Sequence, residues 1–223
     1  KAEMVNNVIY NWGDNSAYGG EGGSYNLINN YYKAGPGTKK HHSRIFEAYK
    51  TTEYGKFYIS GNYMDGFSAV TNDNWKGVQL NGSGNIEDLR MDSSFSISDV
   101  APLSAEAAYD AVLNHAGMSM HRDAVDNRIV EEVKTGTATY GGVWGVETGI
   151  IDSQTDVGGW PKSIASEAPI DSDGDGIPDS WEIEKGLNPN NASDGKKYSL
   201  SNEYTNLEVY LNQLVNDKIG FGE

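Results

Sequence analysis

The chain has 223 residues, with 32 acidic and 17 basic side chains, a net charge of −15 and no cysteine. Such acidity argues against nucleic acid as a partner, because phosphate binding needs a basic patch. The missing cysteines exclude a disulfide framework and thiol chemistry, and no run approaches the roughly 18 apolar residues that would span a membrane.

The first region, residues 1–98, reads as strands and turns. Met4-Val-Asn-Asn-Val-Ile-Tyr10, Leu27-Ile-Asn-Asn-Tyr-Tyr-Lys33 and Ile59-Ser-Gly-Asn-Tyr-Met-Asp65 are three versions of one pattern. Aligning Asn7, Asn30 and Asn62 gives steps of 23 and 32 residues, about one turn of a solenoid. Strand-like runs cover Met4–Tyr10, Tyr25–Tyr32, Lys56–Tyr63 and Gly77–Leu80, separated by Gly-rich or polar insertions at Gly13–Ser24, Gly35–Ser43 and Tyr63–Asn74. There is little apolar/polar alternation, as expected for buried parallel strands. The fold class is therefore all-β dominated, with a parallel β-helix as its architecture. Asn at equal positions can stack into a ladder at a tight corner; three unrelated turns would give the same spacing. The first copy starts almost at Lys1, so the chain is expected to begin in the middle of a fold.

Residues 99–168 read differently. Pro102-Leu-Ser104 introduces a helix over Ala105–His115 with Ala107, Ala108, Ala111 and Val112 on its apolar face. A second helix runs from Arg122 to Lys134, presenting Val125, Ile129, Val130 and Val133, and Gly117 and Gly136 stop the two. Beyond it the chain is Gly-rich and irregular, with Trp144, Ile150, Ile151 and Trp160 as apolar anchors. This block is expected to wrap the β-helix.

Residues 169–223 form a small tail. Asp171-Ser-Asp173-Gly-Asp175-Gly176-Ile177-Pro-Asp179-Ser-Trp-Glu182 satisfies the acidic calcium-loop pattern. Calcium takes six to eight oxygens from a flexible carboxylate-rich loop, whereas magnesium prefers few protein ligands and a rigid octahedron. The expected ligands are the carboxylates of Asp171, Asp173, Asp175, Asp179 and Glu182, with the carbonyl of Ile177. The bland reading is an acidic, solvated turn. The Pro after Ile177 departs from a plain helix–loop–helix hand, and the loop resembles those of thrombospondin type 3 repeats and dockerin-like modules. In that resemblance Asp194 could complete the shell. The final helix opens with a capping box, Thr205-Asn-Leu-Glu208, and shows a stripe of Leu207, Tyr210, Leu211, Leu214 and Val215.

A wider resemblance runs through Asn6-Asn-Val-Ile-Tyr-Asn-Trp-Gly13, Gly19-Gly-Glu-Gly-Gly-Ser-Tyr-Asn-Leu-Ile-Asn-Asn-Tyr-Tyr-Lys33, Arg44-Ile-Phe-Glu47, Phe57-Tyr-Ile-Ser-Gly-Asn-Tyr63, Asp123-Ala-Val-Asp-Asn-Arg-Ile-Val130, Gly149-Ile-Ile-Asp-Ser-Gln154 and Val157-Gly-Gly-Trp-Pro161. Together these segments resemble the bacterial pectate lyases of polysaccharide lyase family 1. The resemblance implies a right-handed parallel β-helix, β-elimination on polygalacturonate, a Ca2+ cofactor and a secreted or cell-envelope location. It implies further that an arginine removes the C5 proton of a galacturonate while aspartate-held calcium stabilises the developing charge. Bridging cations would also let an acidic protein hold an acidic polysaccharide. The family's catalytic arginine belongs upstream of Lys1, so no catalytic residue is expected in this chain, and the N-terminal part of the same protein is the expected partner. A non-catalytic carbohydrate-binding or surface-assembly solenoid is the competing function.

Lys39, Lys40, His41, His42 and Arg44 make the one concentrated basic cluster. Arg44, with Lys39 or Lys40, could contact galacturonate carboxylates; alternatively the loop is solvated, and Arg44 pairs with Glu47 or Glu53. The glycines of Gly19-Gly-Glu21-Gly-Gly23 serve either a tight corner or a cleft floor.

Overall fold

The computed structural model describes residues 1–96, 102–162 and 167–219. The chain divides into two compact units, Lys1–Pro161 and Lys162–Glu223.

Nine short strands build the first unit. In chain order they are β1 (Ala2–Val5), β2 (Val8–Tyr10), β3 (Tyr18–Gly19), β4 (Ser24–Ile28), β5 (Tyr31–Lys33), β6 (Phe46–Ala48), β7 (Lys56–Ser60), β8 (Tyr63–Met64) and β9 (Val78–Leu80). They pair in parallel into three sheets of order β1-β4-β7, β2-β5-β8 and β3-β6-β9. Each round of chain thus lays one strand on each sheet, a succession compatible with a parallel β-helix. The register keeps Met4, Leu27 and Ile59 in line on the first sheet, and Ile9, Tyr32 and Met64 on the second. Leu27, Ile59, Tyr32 and Met64 are buried and join Phe46, Phe57 and Val78 in one core.

Each of the first three runs read as a single strand is two strands with a corner between them, while the fourth is β9 alone. Asn6, Asn29 and Gly61 occupy that corner with left-handed φ angles of 58°, 51° and 69°. Asn is the side-chain-bearing residue that tolerates this conformation best, and Gly does so freely. The second residue of each corner forms the expected ladder. Asn30 Oδ1 accepts from the Asn7 backbone and side-chain N–H groups at 3.0 and 2.9 Å, and Asn62 Oδ1 accepts from both of Asn30 at 2.9 Å. A fourth member was not anticipated: Asn74, in the 3-10 turn Asn74–Gly77, accepts from Asn62 N and Nδ2 at 2.8 and 3.1 Å.

Burial alternates in β5, β6 and β7, as in Lys56–Ser60, where Phe57 and Ile59 are buried, but not in β4, where Asn26 and Leu27 are buried side by side. The alternation is masked in the sequence because outward positions also carry Tyr58 and Ile28. Among the third-sheet strands, Tyr18–Gly19 falls inside a stretch read as an insertion, and two residues are too few for any periodicity to register.

After α1 (Ser68–Asn72), helices α2 (Ala105–His115) and α3 (Ala124–Thr135) follow close to the expected limits. Ser104 caps α2, Asp123 caps α3 and Gly136 ends α3 with φ 72°, as the residue types dictate. The buried residues of α2 are Ala105, Ala108 and Leu113, while Ile129 of α3 is largely exposed. Tyr109 of α2 packs on Tyr31 at 4.3 Å between ring centroids, and Lys33 donates to the Lys134 carbonyl at 2.9 Å. Trp144 and Trp160, expected as anchors, are 61% and 81% exposed. Asn11 holds this segment instead, through Nδ2 to the Thr148 carbonyl at 2.7 Å. The link between β9 and α2 includes residues 97–101, outside the described residues.

In the second unit, α4 (Asp179–Lys185) and α5 (Asn206–Ile219) pack through Trp181 and Tyr210, and Trp181 Nε1 donates to Gln213 at 2.9 Å. The capping box is formed: Glu208 accepts from Thr205 N and Oγ1 at 2.7 and 2.8 Å. Leu211 and Leu214 stand largely exposed.

Candidate metal centre

The acidic loop turns because Gly174 and Gly176 adopt left-handed φ angles of 74° and 96°. Its carboxylates then divide into two sets. Asp171 accepts from Gly174 N at 2.8 Å and Gly176 N at 3.0 Å, which ties the loop to itself. Asp179 accepts from Ser172 N at 2.7 Å and Ser172 Oγ at 2.6 Å, and these bonds hold its pKa below the usual carboxylate value. Ile177 is fully buried, and its N–H donates to Asp175 at 2.9 Å.

The other set points inward. Glu182, on the first turns of α4, is 0% exposed, and neither carboxylate oxygen has a hydrogen-bond partner. Asp173 Oδ2, Asp175 Oδ2 and Asp194 Oδ1 are also buried without a partner. Carboxylate oxygens of Asp175, Glu182 and Asp194 lie within 4.8 Å of one another, as do those of Asp171, Asp173 and Asp175. Buried carboxylates this close repel one another and lose their hydration. Burial foremost, then Asp173, Asp175, Asp194 and Asp179, raise the Glu182 pKa from the usual 4.5 to about 7. Burial foremost raises that of Asp175 as well.

Five carboxylate oxygens without hydrogen-bond partners are compatible with a hard cation that takes all-oxygen coordination, such as calcium. Asp173, Asp175, Glu182 and Asp194 offer the unpartnered oxygens, and Asp171 lies close enough to Asp173 and Asp175 to share in holding an ion. Asp171 and Asp179 also tie the loop by hydrogen bonds. Asp194 lies beyond the twelve-residue pattern, where sequence spacing carries no signal. It is held by Asn188 N, which donates to Oδ2 at 3.1 Å, and by Asn206 Nδ2, which donates to its carbonyl at 2.8 Å. Asn206 is itself fully buried, so α5 is tied to the centre.

Gly195 closes the wall of the site. A Cβ built there would lie 2.3 Å from Asp175 Oδ2. Gly195→Ala is therefore expected to push that carboxylate aside and weaken calcium binding about tenfold or more, the loss of one charged ligand contact. Titration calorimetry checks this; unchanged affinity would remove Asp175 from the ligand set.

Of the basic cluster, Arg44 is buried and engaged. Its guanidinium donates to Gln79 Oε1 at 2.7 Å and to Asn15 Oδ1, and pairs with Glu47 at 3.5 Å. Lys39 and Lys40 are exposed, and the Lys39 ammonium lies 4.6 Å from the centre of the Trp144 ring. Gly20 serves close packing: a Cβ on it would sit 2.5 Å from the Phe57 ring.

No protein-family model matches the chain. It is similar to a protein named probable pectate lyase C from Aspergillus fumigatus, 34% identical over an alignment covering 96% of this chain and 48% of that protein. Proteins of the same name from Aspergillus terreus and Emericella nidulans are 32% and 31% identical, again over 96% of the chain. The chain spans about half the length of these relatives. All three sources are fungal, so the bacterial affiliation expected from the sequence gains no support from them, nor does the likeness of the tail to thrombospondin or dockerin modules.

Proposed function

We propose that this chain is part of a pectate lyase that cleaves polygalacturonate by β-elimination outside the cell. The observation that carries the reading is the similarity along 96% of the chain to proteins named pectate lyase. The three parallel sheets agree with it. In this reading the sheets are rounds of a right-handed β-helix, and the base that removes the C5 proton is an arginine outside these 223 residues. Loss of that proton breaks the bond from C4 to the glycosidic oxygen, which leaves with a proton, and the new chain end carries a double bond. Calcium, when bound beside the base, supplies positive charge for the substrate carboxylate.

The tail centre has a different task in this proposal. Asp173, Asp175, Glu182 and Asp194 hold a structural calcium that fastens the loop, α4 and the start of α5. The test of the lyase reading is ultraviolet absorbance of unsaturated uronate ends from the longest protein carrying this chain. Polygalacturonate with calcium is expected to give a steady rise, and a chelator to reduce it at least a hundredfold, as expected when metal-supplied transition-state stabilisation of about 3 kcal/mol is lost. No calcium-dependent rise would overturn it.

A further inference from the structure

The surface between the 35–41 loop and the 140–150 loop carries Lys39, one of the basic residues weighed above for a carboxylate contact. A cavity of about 220 Å3 opens there, lined by Gly13, Asp14, Lys39, Trp144 and Ile150. Its walls are pinned. Asn11, itself left-handed with φ 54°, accepts from Gly37 N at 2.6 Å and donates to the Thr148 carbonyl at 2.7 Å. One side chain thereby fixes both loops. Lys39 N donates to the Gly13 carbonyl at 3.2 Å. The Trp144 loop closes on itself through Gly142 N to Ile150 O at 2.8 Å and Gly149 N to Tyr140 O at 2.6 Å.

The two side chains presented there are unusual for their settings. Trp144 is 61% exposed, although an indole has a large apolar face that burial would favour. Lys39 stands against that ring, and none of the four ion pairs among the described residues involves it. On a chain of net charge −15, an unpaired ammonium beside an exposed indole on a rigid floor is a local exception in both polarity and sign. A pyranose ring packs its C–H face on an aromatic ring, and a uronate adds a carboxylate that an ammonium can take. Asp14 offers an acceptor for a sugar hydroxyl. The volume suits one ring.

We infer that Lys39 and Trp144 form a subsite for one uronate residue of an acidic oligosaccharide. The assignment rests on the proposed lyase reading for its choice of galacturonate, and on the cavity alone for the acidic sugar. Lys39 takes the carboxylate and the indole takes the ring, with no cation needed as a bridge.

The test measures binding of trigalacturonate to the full chain by calorimetry, with a chelator present so that calcium does not contribute. Lys39→Met and Trp144→Ala are each expected to weaken binding about tenfold. Both positions are exposed, so far-ultraviolet circular dichroism is expected to stay unchanged. A neutral galactose trisaccharide is expected to bind more weakly and to respond to Trp144→Ala alone. Equal binding by the wild type and both variants, equal binding of the neutral and acidic sugars, or no binding of any acidic trisaccharide overturns the subsite. If trimannuronate binds in this way and trigalacturonate does not, the subsite stands and the pectate reading falls. If polygalacturonate is cleaved while both variants bind like the wild type, the lyase reading stands and the subsite falls.

Discussion

Glu182→Gln is expected to stabilise the tail without calcium and to destabilise it with calcium. Without the ion, Glu182 is a fully buried carboxylate among Asp173, Asp175 and Asp194, with no donor facing it. Gln keeps the shape and removes the charge. Because the folded form raises the Glu182 pKa from 4.5 to about 7, it holds that proton more tightly than the unfolded chain does. The associated stability is present below about pH 4.5 and is lost as pH rises through about 7. The calcium-free tail is thus expected to melt at a lower temperature at pH 8 than at pH 5. Calcium reverses the balance, since the ion needs the ionised ligand and displaces the proton. At a calcium concentration one hundred times its dissociation constant, the gain is about 2.7 kcal/mol, on the order of 10 °C for a unit this small. Thermal unfolding followed in calcium and in chelator, at the two pH values, checks both signs. A Gln variant that is less stable than wild type in chelator at pH 8 would show that the buried carboxylates do not repel as described.

Asn62→Ala is expected to cost the first unit about 3–5 kcal/mol, while Asn7→Ala costs under about 1 kcal/mol. Both belong to one ladder, and their surroundings set the difference. Asn62 is 1% exposed. Its Oδ1 serves Asn30 N and Nδ2, and its Nδ2 serves the Leu27 carbonyl at 2.8 Å and Asn74. Alanine leaves several of these groups dry and unpaired, each costing about 1–3 kcal/mol before relaxation. Asn7 is exposed, so water replaces what it donates. Urea unfolding of the two variants measures the gap, and equal losses would mean that the ladder is not the dry structure described.

Much of this architecture is legible in the sequence because the corner imposes a residue type. A left-handed position followed by an amide rung calls for Asn-Asn or Gly-Asn, and that dipeptide recurs at Asn6, Asn29 and Gly61. The third sheet is illegible for the opposite reason, since Tyr18–Gly19 carries no pattern long enough to read. Asn74 is hidden because a 3-10 turn, not a strand, brings it to the ladder. In the tail, the acidic pattern identifies the loop but not the division of labour inside it. Asp171 and Asp179 match the pattern, and spacing alone does not reveal that their oxygens also accept backbone and hydroxyl hydrogens. The pairing of Arg44 with Glu47 is one of the two readings open in the sequence, whereas its contacts with Gln79 and Asn15 are invisible there because they join residues far apart along the chain.

The arrangement beyond β7 and β8 bears on self-association. Parallel strands at the end of a stack expose backbone groups that invite another copy to add on. Here Phe57 N donates to Leu89 O at 2.7 Å and Met91 N donates to Phe57 O at 2.8 Å. Thr71 Oγ1 takes the Met64 N–H at 3.0 Å, and Asn74 takes the corner. A single parallel bridge at Arg90, a hydroxyl and an amide from the chain itself therefore fill places where a second molecule would dock. Opening residues 71–74 by proline substitution turns that face into a template, and the molecule becomes a candidate for end-to-end fibre growth.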